Sequence, residues 1–175
     1  MSRSHAPFSV LRKWCLTPFV LTVLLAGCAR NDNLGYDPGA DALAQLGAAM
    51  TEARANRKLI LVTAGGDWCS ACHALHDFLA DQHDTRARLE AAFVQVHVYI
   101  GEDNFNQDFF AQARLPRTEY VPHFWILDED GLLLAEQDPS ELEFEDSDDY
   151  DPRRFAEFID RWRRDPARPS PAIES

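Results

Sequence analysis

A chain of 175 residues with 17 basic and 29 acidic side chains carries a formal charge of −12 at pH 7. A surface of that sign repels phosphate, which argues against nucleic acid and anionic lipid headgroups as partners. The length suits a single domain with a sizeable core.

The chain opens with Arg3, Arg12 and Lys13 in an otherwise uncharged leader, followed by the apolar run CLTPFVLTVLLAG from Cys15 to Gly27. That run is too short to span a bilayer and reads as a signal peptide, residues 1–27. It ends in Leu25-Ala26-Gly27-Cys28, which resembles the lipobox of bacterial lipoproteins. The resemblance implies cleavage before Cys28 and lipidation of that cysteine, with an uncleaved signal anchor as the alternative. Loss of the three basic residues with the leader takes the charge from −12 to −15, so membrane attachment is expected to rest on acyl chains, several of which are needed for stable anchoring. Ala29 follows the lipidated position; its resemblance to the sorting position of lipoproteins, where Asp is the usual inner-membrane retention signal, favours the outer membrane over the inner, facing the periplasm.

Residues 28–40, CARNDNLGYDPGA, are polar and turn-rich and read as a lipidated, flexible tether, with a reach of about 20 Å for roughly 12 residues. From Asp41, Leu43, Leu46, Met50 and Ala53 recur at helical spacing, and the Asp41 carboxylate can cap that helix. KLILVT, 58–63, reads as a buried strand, AGGD as a flexible loop, and SACHALHDFLADQ, 70–82, as a helix. DTRARLEAA predicts a short helical connection before FVQVHVYI, 93–100, a second strand. NFNQDFFAQARL predicts a helix with Phe105, Phe109 and Phe110 on its buried side. HFWIL and LLLAE flank DEDG, a β-hairpin signal. ELEFEDSDDYD reads as a solvated acidic loop. Asp151-Pro152 has the N-cap then N1 order, and Phe155, Phe158, Ile159 and Trp162 fall at i, i+3, i+4 and i+7 of a closing helix. Residues 165–175 read as a disordered tail. The alternation predicts an α/β fold with a central mixed sheet flanked by helices, in which a parallel pair joined by a right-handed crossover shares its sheet with an antiparallel hairpin.

Once the leader is removed and Cys28 lipidated, Cys69 and Cys72 are the remaining free thiols. Cys69-Ser70-Ala71-Cys72 has the spacing of a redox dithiol, and adding His73 makes the attachment pattern of a c-type haem. Haem also needs a pocket and usually a second axial ligand, for which Met50, His76, His83, His97 and His123 are available. Cys69, Cys72, His73 and His76 also share one helical face as candidate zinc ligands, although a single helix cannot wrap a metal.

KLILVTAGGDWCSACHAL, then VPHFWILDEDG about fifty residues later, then a terminal amphipathic helix, together resemble the thioredoxin superfamily. Within it, the chain is most similar to the thioredoxin-like modules of bacterial periplasmic proteins, including the C-terminal domain of the thiol:disulfide interchange protein. The resemblance covers residues 41–164. It implies a thiol-disulfide oxidoreductase, without a cofactor or metal, that exchanges disulfides with protein partners and is served by a redox partner protein. Cys69, at a helix N-terminus where the dipole favours a thiolate, is the expected nucleophile and Cys72 the resolving thiol. Trp68 is expected to shield the pair. Pro122 resembles a cis-Pro that turns the backbone of Val121 toward the dithiol, where it can pair with an extended substrate.

Two positions depart from that pattern. Many thioredoxins bury an Asp six residues before the first Cys as a proton acceptor for the resolving thiol; here Thr63 stands there, and a hydroxyl cannot replace a carboxylate base. His76, at i+4 from Cys72, is a candidate for that proton transfer, against a solvated surface role. The dipeptide Ser70-Ala71 lacks the Pro of the commonest thioredoxin motif, which leaves the direction of electron flow open. A redox-inert interaction module on the same scaffold is the alternative class.

Overall fold

The computed structural model describes residues 34–118, 120–147 and 149–164. The signal peptide, Cys28 and the tail after Arg164 lie outside the described residues.

Four strands form one sheet: β1 Leu59–Gly65, β2 Phe93–Tyr99, β3 His123–Leu127 and β4 Leu133–Gln137, in the order β2-β1-β3-β4. β1 is parallel to β2 and antiparallel to β3, and β3 is antiparallel to β4, which is the parallel pair plus hairpin that the alternation predicts. β1 occupies the interior of the sheet and is buried along its whole length, which accounts for its unbroken apolar run. The hairpin turn is held by Asp128, whose Oδ1 accepts from the backbone N–H groups of Asp130 and Leu132 at 2.9 Å each. Gly131 there adopts φ +80°, a conformation that favours glycine.

Side chains alternate across the strands and divide the core in two. On one face Ile60, Val62, Val96 and Trp125 pack against α1 (Ala42–Asn56) and against Phe109 and Phe110 of α4 (Gln107–Ala113). α1 buries Leu46 together with Ala42, Ala49 and Ala53, three small residues that let the helix lie close on the sheet, and Asp41 caps it by accepting from Ala44 N–H at 2.9 Å. On the other face Leu61, Phe93, Phe124 and Ile126 meet α2 (Ser70–Asp81), α3 (His83–Ala92) and α5 (Pro152–Trp162). Phe155, Phe158 and Ile159 supply the buried stripe of α5, and the buried Asp151 carboxylate caps it through Arg153 N–H at 2.8 Å.

Three expectations need correction. Phe105 is 55% exposed, because α4 starts only at Gln107, after Asn106 in a left-handed conformation at φ 45°. The acidic stretch is not a free loop throughout: Pro139–Leu142 forms a 3-10 helix, Glu143 bridges Tyr150, and buried Leu142 and Tyr150 pin its ends while Glu145 and Asp146 stay exposed. The tether reading also fails from Leu34 onward, since Leu34 and Tyr36 are buried against the domain. Two large apolar side chains each gain about 1.5–3 kcal/mol on burial, enough to dock a short polar segment.

Phe155 is fully buried among Phe78, Phe124, Tyr150 and Phe158. Phe155→Ala should cost about 3–5 kcal/mol, read as a lower urea midpoint with an unchanged slope. A loss below about 1 kcal/mol would contradict the placement of the second core, given the usual cost of such truncations.

Candidate functional site

The loop Gly66-Asp67-Trp68 carries the chain from β1 into α2 and sets Cys69 as the N-cap of that helix. Cys69 N–H donates to Gly66 C=O at 3.0 Å, and Cys69 C=O accepts from Cys72 and His73 N–H at 3.1 Å each. The first turn of α2 also brings one of these N–H groups to a sulfur: Cys72 N–H, shared with the Cys69 carbonyl, donates to Cys69 Sγ at 3.1 Å. Cys69 and Cys72 are joined in a disulfide with their Cα atoms 5.2 Å apart. Both are nearly enclosed, at 5% and 3% exposure.

The neighbours expected from the sequence are brought together here. The Val121–Pro122 bond is cis, and Val121 C=O lies 3.7 Å from Cys69 Sγ. Trp68 is 59% exposed, yet its ring is fixed, because Nε1 donates to Ile100 C=O at 2.9 Å and the indole edge lies against Gly66 and Gly101, where a Cβ would collide with it. His73 Nε2 lies 2.8 Å from Asp67 C=O, so the residue that both the haem and zinc readings would use as a ligand is engaged there. Among the described residues no group of three or more His, Cys, Asp or Glu side chains is arranged to hold a metal ion.

Sequence reasoning missed the strap formed by Leu34, Gly35 and Tyr36. Leu34 and Tyr36 pack with Cys69, Cys72 and Tyr99, and Leu34 N–H donates to Asp67 Oδ1 at 3.3 Å. Gly65 is required beneath the strap, since a Cβ there would stand 2.7 Å from the Tyr36 hydroxyl and 2.8 Å from Cys72 Sγ. The available signal was Leu34 and Tyr36 themselves, alternating large apolar residues in a polar segment. Burial pushes the Tyr36 hydroxyl far above its ordinary value, with the charges of Tyr150 and Asp67 acting in the same direction.

Beside Cys72 lies a cavity of about 230 Å³ whose lining includes Tyr36, Thr63, Cys72, His76 and His97. Thr63 is buried and pairs in register with His97 across the β1–β2 ladder. The His97 ring sits 5.1 Å from that of Tyr36, and burial, reinforced by His76, lowers its pKa.

A family model described as thioredoxin-like matches residues 41–129. The chain belongs to the thioredoxin-like family. The match takes in the strand, dithiol, helix and cis-Pro that build the site; β4 and α5 follow it in sequence. Among solved structures, the thioredoxin-like chain is similar to the disulphide isomerase from Xylella fastidiosa Temecula1, at 25% identity and a TM-score of 0.60, over 74% of this chain and 96% of that one. A comparison with curated protein sequences returns no match.

If the strap screens Cys72 in this thioredoxin-like domain, Tyr36→Ala should speed alkylation of Cys72 in the reduced protein while destabilising the fold by about 3 kcal/mol. An unchanged Cys72 alkylation rate in the folded variant would show that the strap does not control access.

Proposed function

We propose that the chain is a thiol-disulfide oxidoreductase of the bacterial envelope that exchanges disulfides with protein partners, with Cys69 attacking and Cys72 resolving. The observation that carries this reading is the hydrogen bond from Cys72 N–H to Cys69 Sγ at the first turn of α2. An ordinary cysteine is mostly protonated at neutral pH, with a pKa of about 8.5, and only the thiolate attacks. A helix N-terminus favours the anion by about 0.3–1, at most about 2, kcal/mol, which lowers the pKa by up to about 1.5 units. Cys72 lies inside the helix, so its sulfur lacks that stabilisation.

In the reducing direction, the Cys69 thiolate attacks a partner disulfide. One partner sulfur leaves as a thiolate, and a mixed disulfide forms. Cys72 then gives up its proton and attacks Cys69 Sγ; the Cys69–partner bond breaks, and the second partner sulfur leaves as a thiolate. The partner gains two electrons and the pair closes as the observed disulfide. Isomerisation and oxidation run the same steps in other orders. Val121 C=O, beside Cys69 Sγ, offers an acceptor to an extended partner backbone, and Pro122, having no N–H, leaves that edge uncrowded. Trp68 presents an exposed, fixed ring next to it. The disulphide isomerase neighbour supports the reading at the level of the fold.

The leader and the lipobox-like context of Cys28 support a lipid anchor facing the periplasm, with Ala29 favouring the outer membrane. Leu34 follows Cys28 by six positions, a span that reaches about 20 Å at most, so a lipidated Cys28 would hold the dithiol near its membrane. In an oxidising compartment a dithiol that acts as a reductant needs a dedicated donor, a second protein partner.

In cells, Cys72→Ser should accumulate reductant-sensitive adducts with partner proteins, while Cys69→Ser should accumulate few and lose insulin-reduction activity as fully as the double variant. Equal trapping by the two single variants, together with equal alkylation rates of the two cysteines in the reduced protein, would leave a structural disulfide as the better reading. Mass spectrometry of the membrane fraction should find Cys28 acylated at a new N-terminus; an unmodified Cys28 within an intact leader would overturn the anchor.

A further inference from the structure

Resolution requires a proton to leave Cys72, whose sulfur is enclosed beneath the strap, and a cavity lies beside it. At about 230 Å³ this space has room for several waters, each occupying about 30 Å³ in the liquid. Resting on the redox reading above, we infer that His97 exchanges the proton of Cys72 through this cavity.

The strand register places it there. His97 pairs with Thr63 in the parallel β1–β2 ladder, so both side chains project to the face that α2 covers, and both line the cavity with Cys72. Thr63 itself is buried and has no basic group. The ionisable groups facing His97 are few. Tyr36, on the strap, has its hydroxyl pushed far above the ordinary value by burial, so it stays protonated at neutral pH and accepts nothing. Arg86, on α3, is permanently charged, and Glu90 on the same helix is an exposed carboxylate paired with it at 3.8 Å. Asp67, below the strap, accepts from Leu34 N–H. His76, on α2, is half-buried.

The ring of His97 is packed closely by the strap. The Tyr36 ring lies 5.1 Å away, and Gly35, at φ +86°, passes so close that a Cβ would stand 2.9 Å from Nδ1. Burial, reinforced by His76, lowers the pKa of this ring, which favours the neutral form, the one that can accept a proton. The spacing of the sequence pointed to His76; the register and the strap point to His97.

The proton passes from Cys72 S–H through cavity water to the imidazole, the Cys72 thiolate attacks Cys69 Sγ, and the partner sulfur leaves with the electron pair of the broken bond. The imidazolium then returns the proton to solvent or to that thiolate. In the opposite direction Cys72 leaves as a thiolate and takes the proton back.

The reaction of the reduced chain carrying Cys15→Ser and Cys28→Ser, whose free thiols are then Cys69 and Cys72, with 5,5′-dithiobis(2-nitrobenzoic acid) separates the steps. Attack by Cys69 releases one coloured thiolate, and resolution by Cys72 releases a second. In the wild type the second phase should rise with pH about a midpoint at or below the ordinary imidazole value of about 6.5. His97→Gln, and His97→Asn as a second replacement, should leave the first phase unchanged, slow the second about tenfold to a hundredfold at pH 7, and move its midpoint toward the thiol value of about 8.5. His83→Gln on the exposed start of α3 should alter neither phase. The inference is overturned if a folded His97 variant keeps the wild-type second phase and midpoint, or if His76→Gln loses more than His97→Gln. A wild-type midpoint in the thiol range overturns it without any variant. Release of only one coloured thiolate by the Cys69–Cys72 pair of the wild type would instead sink the redox reading on which it rests.

Discussion

The hydrogen bond from Cys72 N–H to Cys69 Sγ is the interaction around which the site is arranged. It exists only because Cys69 occupies the N-cap of α2, and Cys69 reaches that place because β1 ends in the interior of the sheet and passes through Gly65 and Gly66. Both glycines are forced by close approach: Tyr36 and Cys72 Sγ crowd the first, and the Trp68 ring crowds the second. A side chain at either position would push the groups that flank the disulfide away from it. The chemistry of one sulfur is thus set by where a buried strand stops and how tightly the chain turns into the helix.

The same geometry explains how closed the site is. The Leu34–Tyr36 strap and Tyr99 pack on the pair, while Val121 and the fixed ring of Trp68 border it. Access to Cys69 Sγ from solvent therefore requires local opening, which proceeds in proteins at a fraction of the free energy of global unfolding. The strap lies outside the four strands of the sheet, and its attachments include the buried side chains of Leu34 and Tyr36 and the Leu34 N–H bond to Asp67.

Much of this was legible in the sequence because periodicity and short-range chemistry decide it. The unbroken KLILVT run marks a strand buried on both faces, Asp41 and Asp151 act as caps where their positions suggest, and the spacing of Phe155, Phe158 and Ile159 selects the buried stripe of α5. Cys69, Cys72, Trp68, Val121 and Pro122 meet as the motif implies. What escaped depends on contacts distant in sequence. Leu34 and Tyr36 look like tether residues until the dithiol offers them a surface. Phe105 matches a helical spacing that the left-handed Asn106 interrupts. His97 reads as one polar residue in an apolar strand; its significance appears only when the register sets it beside Thr63 and the cavity next to Cys72.

The central claim is that this disulfide turns over, and its equilibrium reduction potential tests that most directly. Equilibration of the purified protein with defined glutathione or dithiothreitol buffers, followed by alkylation and mass analysis, should give a reversible two-electron couple between about −120 and −270 mV, the range of catalytic dithiols. A potential below about −300 mV, in the range of structural disulfides that resist the glutathione pool, would contradict it.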